Sequence, residues 1–551
     1  MVRHRWRAAA ACAMLAALAL AGCGTRSGHL VRPATFGGFG RQGGTSGVGA
    51  MHHLPIHTGW GPTRREIGTA REYVDHLSLA ERAGQVILAR YKGTAAPVAL
   101  VHRLHLGGVV VFANNYAGVD RIRASNRRLQ HAIAAAGRRW PVLIGVDQEG
   151  GLVERITGGT RFPAFMTAGA AGRPQLTRRA AAASGAELAG LGFNVDFAPD
   201  ADVTSGPLDP TIGSRSAGSD PSVVAQQSVA AMHGYASVGM IPVVKHFPGH
   251  GSVAANSHYT LPVQTKTLAE LAHDDLVPFQ NAIDAGAPVV MVAHLDVRAV
   301  DPGTPSSLSR RVVTGLLRHR FGFGGVASTD ATDMAAITGH THGVNPAVQA
   351  LRAGEDIVLM PPRPARARAS IVRAVEDGGL DQARLDQAAT RVVALMLHHK
   401  HGRVTARPPG KGRAVSHALS AAGITEVQGS CGGRLVGSAV RVQGSRSAVA
   451  TFRGAAREEG LRVLRKHQPG WRKASTVALV GYGRPAPSKR ADVLVATDTP
   501  YVLGRARGGV KIATYGRTPG AMRALVDVLL GKAPAPGHLP VQVAHVPRTG
   551  C

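Results

Sequence analysis

The stretch IPVVKHFPGHGSVAANSH, residues 241–258, joins an apolar run to a loop rich in glycine and ionisable side chains. The run Ile241–Val244 has the composition of a strand that is buried on both faces. The ionisable side chains that follow it are Lys245, His246, His250 and His258. Residues that carry chemistry are concentrated on loops that a rigid scaffold positions. The stretch therefore predicts a parallel strand that ends at a functional site.

Similar apolar runs recur along residues 66–400, with Ala-rich amphipathic segments such as 178–191 and 268–285 between them. The predicted strands are 85–89, 108–112, 142–146, 194–197, 242–245, 289–293, 325–328 and 356–360. Apolar strands that alternate with helices indicate a parallel sheet. About eight such units over about 330 residues predict an α/β fold of the (β/α)8 TIM-barrel type. An open doubly wound sheet is the alternative, but no Gly-rich phosphate loop follows the first strand.

Polar residues cluster where these strands end. They are Asp147, Asp200, Asp202, Lys245, His246, His294 and Asp330. The active site of a TIM barrel lies at the carboxyl ends of its strands. The sequence therefore predicts that these side chains meet at one face of the barrel.

A second, smaller domain is predicted after the barrel. Residues 401–415 are rich in Arg, Pro and Gly and are interpreted as a linker, and 416–551 as an α/β sandwich domain. Its predicted strands are 476–481, 491–496 and 510–515, and its predicted helices are 445–466 and 520–530. Cys431 and Cys551 either form a disulfide or stay free thiols, because sequence does not show their proximity.

The chain begins with a segment typical of an export signal, in which three arginines precede the apolar run 8–20. That run is too short to span a bilayer comfortably. The next residues, Leu20-Ala21-Gly22-Cys23, resemble the lipobox of bacterial lipoproteins. The resemblance implies a signal peptide over 1–22 and a lipid on Cys23, and 23–65 is interpreted as a flexible tether. We therefore expect an extracytoplasmic protein that is lipid-anchored to the cell membrane.

The formal net charge is +30, which attracts polyanions over a long range. Export argues against nucleic acid as the natural partner. Anionic wall polymers and lipid headgroups fit both the charge and the expected location. We expect the protein to be a monomer.

The barrel region resembles glycoside hydrolase family 3, in its β-N-acetylhexosaminidase branch. The resemblance is carried most clearly by LGGVVVFANN (106–115), PVLIGVDQEGGLVERI (141–156), GFNVDFAPDADV (192–203), KHFPGHGSVAANSH (245–258) and FGFGGVASTDATDM (321–334). It implies a retaining, exo-acting β-N-acetylglucosaminidase that acts on peptidoglycan fragments or related glycans. It also implies that no metal or organic cofactor is needed. The C-terminal domain resembles the second domain of some members.

Retaining hydrolysis needs a carboxylate nucleophile and a proton donor on the other side of the bond. The resemblance implies that Asp330, which ends a strand in Ser-Thr-Asp-Ala, is the nucleophile. An Asp at this point could instead cap a helix. Asp333 is the rival carboxylate, but it falls on the following helix.

The proton donor implied by the resemblance is unusual, because it is a loop histidine instead of a second carboxylic acid. His258 matches that histidine, and the family's orienting Asp is Asn256 in this sequence. The amide oxygen of Asn can accept a hydrogen bond from imidazole, but it supplies no negative charge to stabilise imidazolium. We expect a slower enzyme, with Asp200, Asp202 or Glu149 as possible sources of the missing charge. A neutral base would also let phosphate compete with water, so phosphorolysis stays open.

The remaining matched residues are expected to bind the sugar. They are Asp147, Arg155, Arg215, Lys245, His246 and His294. Carboxylates and guanidinium groups suit bidentate recognition of hydroxyls. Two other functions stay open: another family 3 β-glycosidase, and a sugar-binding lipoprotein that lost catalysis through Asn256.

Overall fold

The computed structural model describes residues 56–337, 340–341, 343–483 and 490–548. Its first sheet has eight strands: Ile87–Arg90 (β1), Gly108–Val111 (β2), Leu143–Val146 (β3), Val195–Asp196 (β4), Ile241–Phe247 (β5), Val289–Val292 (β6), Val326–Thr329 (β7) and Val358–Leu359 (β8). The order across the sheet is β7-β6-β5-β4-β3-β2-β1-β8. A parallel bridge between Ser328 and Ile357 joins β7 to β8 and closes the sheet. The predicted TIM barrel is confirmed.

Helices alternate with these strands along the chain. They are Arg64–Asp75 (α1), Leu79–Gln85 (α2), Val98–Leu104 (α3), Val119–Ala135 (α4), Met166–Ala171 (α5), Pro174–Gly190 (α6), Pro221–Ala236 (α7), Leu268–His273 (α8), Val277–Asp284 (α9), the π-type helix Arg311–Arg320, Pro346–Ala353 (α10), Pro364–Glu376 (α11) and Gln382–His401 (α12). The predicted run 268–285 is two helices. Between them the fully buried carboxylate of Asp275 accepts hydrogen bonds from Ser252 and Lys266.

The seam between β7 and β8 is fixed by Asp356, whose carboxylate is fully buried. One oxygen accepts hydrogen bonds from the Ala327 amide at 3.1 Å and from Arg318 at 2.5 Å. The other accepts from Arg384 at 2.8 Å and from Arg391 at 3.3 Å. Burial alone would raise the pKa of Asp356, but the three guanidinium groups lower it to about 2. The carboxylate therefore ties two helices to the point where the barrel closes.

Asp356→Asn should lower the free energy of unfolding by about 3 kcal/mol or more, because it leaves buried guanidinium groups without their carboxylate. Urea denaturation at pH 7 measures this loss, with Asp377→Asn at the exposed end of α11 as the control. Since the folded-state pKa is depressed, this stability is present above about pH 4 and is lost as the pH falls toward 2. An unchanged denaturation midpoint at pH 7 would contradict the assignment.

The second domain is a sheet of six strands with helices: Thr425–Gln428 (β9), Ala439–Gln443 (β10), Arg462–Val463 (β11), Ser475–Val480 (β12), Ala491–Ala496 (β13), Gly508–Ala513 (β14), Arg413–Gly423 (α13), Arg446–Glu458 (α14), Val502–Arg505 (α15) and Pro519–Leu529 (α16). The order is β9-β14-β13-β12-β10-β11, with β9 antiparallel to β14. The predicted helix 445–466 is too long. It ends at Glu458, and Gly460 follows with a φ of 81°, a conformation that commonly ends helices.

The segment between the domains is bonded to the barrel. The Arg407 amide donates to the carbonyl oxygen of Ala186, and the amides of Gly410 and Gly412 donate to the carboxylate of Glu187. The predicted linker therefore runs along α6 and is hydrogen-bonded to it. At the start of the barrel domain in the sequence, α1 begins at Arg64, inside the stretch interpreted as a tether.

Several sequence predictions fall on residues outside the described ranges. The signal peptide, Cys23 and the tether up to residue 55 all lie there. Cys431 is disulfide-bonded, whereas Cys551 lies outside the described residues, so their pairing stays a prediction. Within the described part of the chain, no helix has the length and apolarity to cross a bilayer.

Candidate active site

The carboxyl ends of β3 to β7 bring the predicted strand-end residues together. Asp147 follows β3 directly, Lys245 and His246 lie in β5, and Asp330 follows β7 directly. The pairing of β5 with β6 shifts between Val244 and Phe247, so Lys245 and His246 lie in an irregular part of the ladder. Such bulges commonly redirect side chains next to active sites. Here both of these consecutive side chains take part in the same polar network.

Lys245 is the centre of one half of this network and is 1% exposed. Its ammonium lies 2.6 Å from Glu149 and 3.1 Å from Asp147. Burial alone would lower the pKa of Lys245, but these two carboxylates raise it. Arg155 approaches the other oxygen of Asp147 at 3.7 Å, and both side chains remain partly exposed. Asp147 and Arg155 are therefore accessible to a ligand, whereas Lys245 is a buried positive charge that pairs with Asp147.

Arg215 connects the two halves of the network. Its guanidinium donates to both oxygens of Glu149, at 2.8 and 2.9 Å, and lies 3.4 Å from Asp200. Burial alone would raise the pKa of Glu149, but Arg215 and Lys245 lower it. The buried ammonium of Lys245 and the partly buried guanidinium of Arg215 thus share one ionised carboxylate, which fixes the position of Arg215.

His246 is held in one tautomer. Its Nε2 lies 3.3 Å from the guanidinium of Arg215, which can only donate, so Nε2 accepts and the proton sits on Nδ1. Nδ1 then donates to Asp202 at 2.7 Å. Burial lowers the pKa of His246 to about 4, which keeps the ring neutral at neutral pH.

Asp200, Asp202 and His246 each place a ligand atom within 4.8 Å of the others, a spacing that could hold a metal ion. Burial raises the pKa of both carboxyl groups, that of Asp202 to about 6. A metal here would compete with Arg215, which already supplies positive charge 3.4 Å from Asp200.

Asp330 is the carboxylate at the end of β7. Its Oδ1 accepts a hydrogen bond from the Ala331 amide at 2.7 Å. Burial alone would raise the pKa of Asp330, but His246, His294, the Ala331 amide and Lys245 together lower it. The side chain is therefore an ionised carboxylate that has no ion-pair partner among the described residues.

His294 has a different place from the one expected. It is fully buried, its Nε2 donates to the carbonyl oxygen of Ala331 at 3.0 Å, and its Nδ1 accepts from the Ser307 hydroxyl at 2.7 Å. Both ring nitrogens are thus used inside the protein. His294 supports the backbone beside Asp330, so the predicted direct contact with substrate is not what this geometry provides.

His258 lies on the exposed side of the loop that follows β5. The amide of His258 donates to the side-chain oxygen of Asn256 at 2.9 Å, and so does ring Nδ1, also at 2.9 Å. An amide N–H can only donate, which identifies the Asn256 atom as its oxygen and puts the ring proton on Nδ1. Nε2 is left to exchange protons.

The residue before His258 fixes the loop. The hydroxyl of Ser257 bonds to Nε2 of His250 at 2.9 Å, and its carbonyl oxygen accepts from the Ala336 amide at 3.2 Å. Ala336 belongs to the segment that follows Asp330. The predicted proton donor therefore lies on a loop that is docked against the segment carrying the predicted nucleophile.

Comparison with known proteins identifies the family. Residues 78–395 match the model of the glycosyl hydrolase family 3 N-terminal domain. The chain belongs to glycosyl hydrolase family 3. Similar proteins include Beta-hexosaminidase A of Pseudoalteromonas piscicida, 35% identical over 323 residues that make up 54% of this chain and 54% of that protein. A Beta-hexosaminidase of Chromobacterium violaceum is 36% identical over 54% of this chain and 83% of its own length.

A solved family 3 structure covers both domains. The β-N-acetylglucosaminidase of Paenibacillus sp. str. FPU-7 aligns with a TM-score of 0.76 at 28% identity, over 85% of this chain and 99% of its own. This similarity agrees with a barrel followed by a second sheet domain. The protein is a family 3 glycoside hydrolase.

Sequence reasoning undervalued Glu149, which the network places between two cations. The signal was present, because Lys245 and Arg215 were both expected in one site and buried cations need a partner. Glu149, Asp200 and Asp202 were also expected as substitutes for the missing charge beside His258. Their bonds go to Lys245, Arg215 and His246, and the ring of His258 bonds to Asn256.

Proposed function

We propose that the protein removes terminal β-linked N-acetylglucosamine from peptidoglycan fragments or related glycans, with retention of configuration. The observation that carries the proposal is that the loop of His258 docks, through Ser257, on the segment that follows the ionised carboxylate of Asp330. Support for the sugar comes from relatives named beta-hexosaminidase and from the similar structure named a β-N-acetylglucosaminidase.

In this mechanism a carboxylate oxygen of Asp330 attacks the anomeric carbon of the bound sugar. The first step uses the imidazolium form of His258, which carries a proton on each ring nitrogen. The bond to the leaving oxygen breaks as that oxygen takes the Nε2 proton, so the step forms a glycosyl ester, a free alcohol and a neutral ring. In the second step Nε2 accepts a proton from water, whose oxygen attacks the anomeric carbon and releases Asp330. Nδ1 stays bonded to Asn256 throughout.

The sugar is held by the open part of the network. Asp147 and Arg155 face the ligand with partly exposed polar atoms, and they bind ring hydroxyls remote from the cleaved bond. The buried side chains of Lys245 and His246 and the partly buried side chain of Arg215 border the same site. The ion pairs of this network hold its side chains in place, so that the bound sugar has its anomeric carbon over Asp330.

The test is release of chromophore from p-nitrophenyl N-acetyl-β-glucosaminide, with p-nitrophenyl β-glucoside as the comparison substrate. We expect turnover of the N-acetyl-β-glucosaminide and little turnover of the β-glucoside. Faster turnover of the glucoside would favour another family 3 β-glycosidase. Binding of N-acetylglucosamine by calorimetry without turnover would favour a sugar-binding protein instead.

Asn256→Asp should accelerate this hydrolysis about tenfold or more, since a carboxylate stabilises the protonated ring that the second step creates. The comparison is kcat of the parent and the variant at matched pH. Asn281→Asp, a change of the same chemistry at an exposed position of α9, is the control. A variant slower than the parent would show that the amide is better adapted to this site than the carboxylate.

We propose further that the enzyme works outside the cytoplasm, anchored by a lipid on Cys23. The support is the basic and apolar start of the sequence, followed by Leu-Ala-Gly-Cys, together with a net charge of +30 that suits anionic surfaces. Radiolabelled palmitate incorporation should be lost in Cys23→Ser. Label retained in that variant would exclude Cys23 as the acceptor.

A further inference from the structure

The loop that carries Arg215 is bonded to the second domain at three points. The Ser214 hydroxyl donates to Oδ1 of Asp498 at 2.5 Å, and the Tyr482 hydroxyl donates to the carbonyl oxygen of Pro210 at 3.3 Å. The Ser219 amide donates to the carbonyl oxygen of Pro540 at 3.1 Å. The central contact is buried, because Ser214 is 3% and Asp498 is 4% exposed. One end of the sugar-binding network therefore depends on residues far along the chain.

The loop itself is folded tightly around Asp209. Its carboxylate accepts from the amides of Thr211, Ile212 and Gly213 and from the Thr204 hydroxyl. These bonds fix the chain up to the short 3-10 turn Gly213–Arg215. A displacement of Ser214 is therefore transmitted to the next residue, whose guanidinium is bidentate with Glu149.

The buried position of the Asp498 carboxyl group is unfavourable in free energy. Asp498 follows β13, its Oδ1 receives the Ser214 hydroxyl, and the Thr499 backbone amide also approaches the carboxyl group, but its Oδ2 has no partner of hydrogen-bond geometry among the described residues. Burying a polar group without a partner costs free energy, so packing alone would favour an apolar side chain here. What the carboxyl group does provide is a short, directional bond to the residue beside Arg215.

We propose that Asp498 is a positioning residue for Arg215, acting through Ser214, so that the second domain completes the sugar-binding site of the barrel. The inference rests on the proposed function, because it assigns Arg215 to the bound sugar. In this proposal the second domain holds the Arg215 guanidinium at its distance from Glu149 and Lys245.

The test is steady-state hydrolysis of p-nitrophenyl N-acetyl-β-glucosaminide by Asp498→Ala and Ser214→Ala. Both variants should lose kcat/KM by at least about tenfold, mainly as a higher KM, because a displaced binding group weakens the hold on the sugar. Asp498→Asn keeps an acceptor oxygen for the Ser214 hydroxyl and should recover most of the parent KM. Asp492→Ala, at the opposite end of β13 with an exposed side chain, is the matched control and should match the parent.

A double-mutant comparison separates positioning from general destabilisation. In an Arg215→Ala background, adding Asp498→Ala should cause no further rise in KM, since the group being positioned is gone. An equal loss in both backgrounds would overturn the inference. Should Asp498→Ala fail to fold, Ser214→Ala and Asp498→Asn decide the question alone. An inactive parent would refute the proposed function, whereas an active parent with unchanged Ser214→Ala kinetics would refute only this inference.

Discussion

Asp330→Ala is expected to lower kcat for p-nitrophenyl N-acetyl-β-glucosaminide by about 10⁴-fold or more, with little change in KM. The carboxylate is ionised, since its neighbours lower its pKa, and it has no ion-pair partner among the described residues. In the proposed mechanism its removal deletes the atom that bonds to the sugar and leaves the polar network around Lys245 and Arg215 in place. The measurement is a comparison of initial rates at saturating substrate.

The matched control for this variant is Asp333→Asn. Asp333 is a carboxylate three residues later that pairs with Arg90, so it has a structural explanation of its own. We expect its kcat to stay within a few-fold of the parent value. A larger loss at position 333 than at position 330 would exchange the two roles.

Covalent trapping distinguishes a nucleophile from a residue that is needed only for folding. A 2-deoxy-2-fluoro or 5-fluoro glycosyl donor slows the second step more than the first, so the glycosyl ester accumulates. Peptide mass spectrometry should find the added sugar on the peptide that contains Asp330. Label on another carboxylate, in a protein with confirmed turnover, would contradict the mechanism.

The barrel and its strand ends were predictable because they rest on local signals. Each buried strand is a short apolar run, and a parallel barrel turns the carboxyl ends of all its strands to one face. That geometry alone was enough to expect Asp147, Lys245 and Asp330 in one place. Their partners were less predictable, because the choice of Glu149 for Arg215 depends on side-chain positions that no spacing rule specifies.

The features that could not be predicted from the sequence depend on contacts between residues that are far apart in the chain. Asp498 meets Ser214 across 284 positions, and Gly412 meets Glu187 across 225. A Gly- and Pro-rich stretch predicts a turn or a linker locally, but tertiary bonds decide whether it is mobile. His294 shows the same limit, since a buried ring with two internal partners and a ring that binds sugar have the same sequence signature.

His258→Ala should give the second largest loss, about 10³-fold in kcat for a substrate whose leaving group is a sugar hydroxyl. A sugar alkoxide is a poor leaving group and needs a proton as the bond breaks, whereas dinitrophenolate leaves without one. The same variant should therefore lose much less with a 2,4-dinitrophenyl glycoside in the first step. Rates for both substrates, measured for parent and variant, give the ratio that identifies a proton donor.

His273→Ala is the control for this substitution, because His273 is an exposed histidine at the end of α8 that bonds to the next residue, Asp274. It should leave both rates unchanged. In His258→Ala, azide should restore turnover of the dinitrophenyl substrate as glycosyl azide, since this anion attacks the ester of Asp330 without a general base. Equal losses for both leaving groups and no rescue by azide would remove His258 from proton transfer. The docked Ser257 would then be the loop's main contribution, because its bonds to His250 and Ala336 hold the segment after β7 in place.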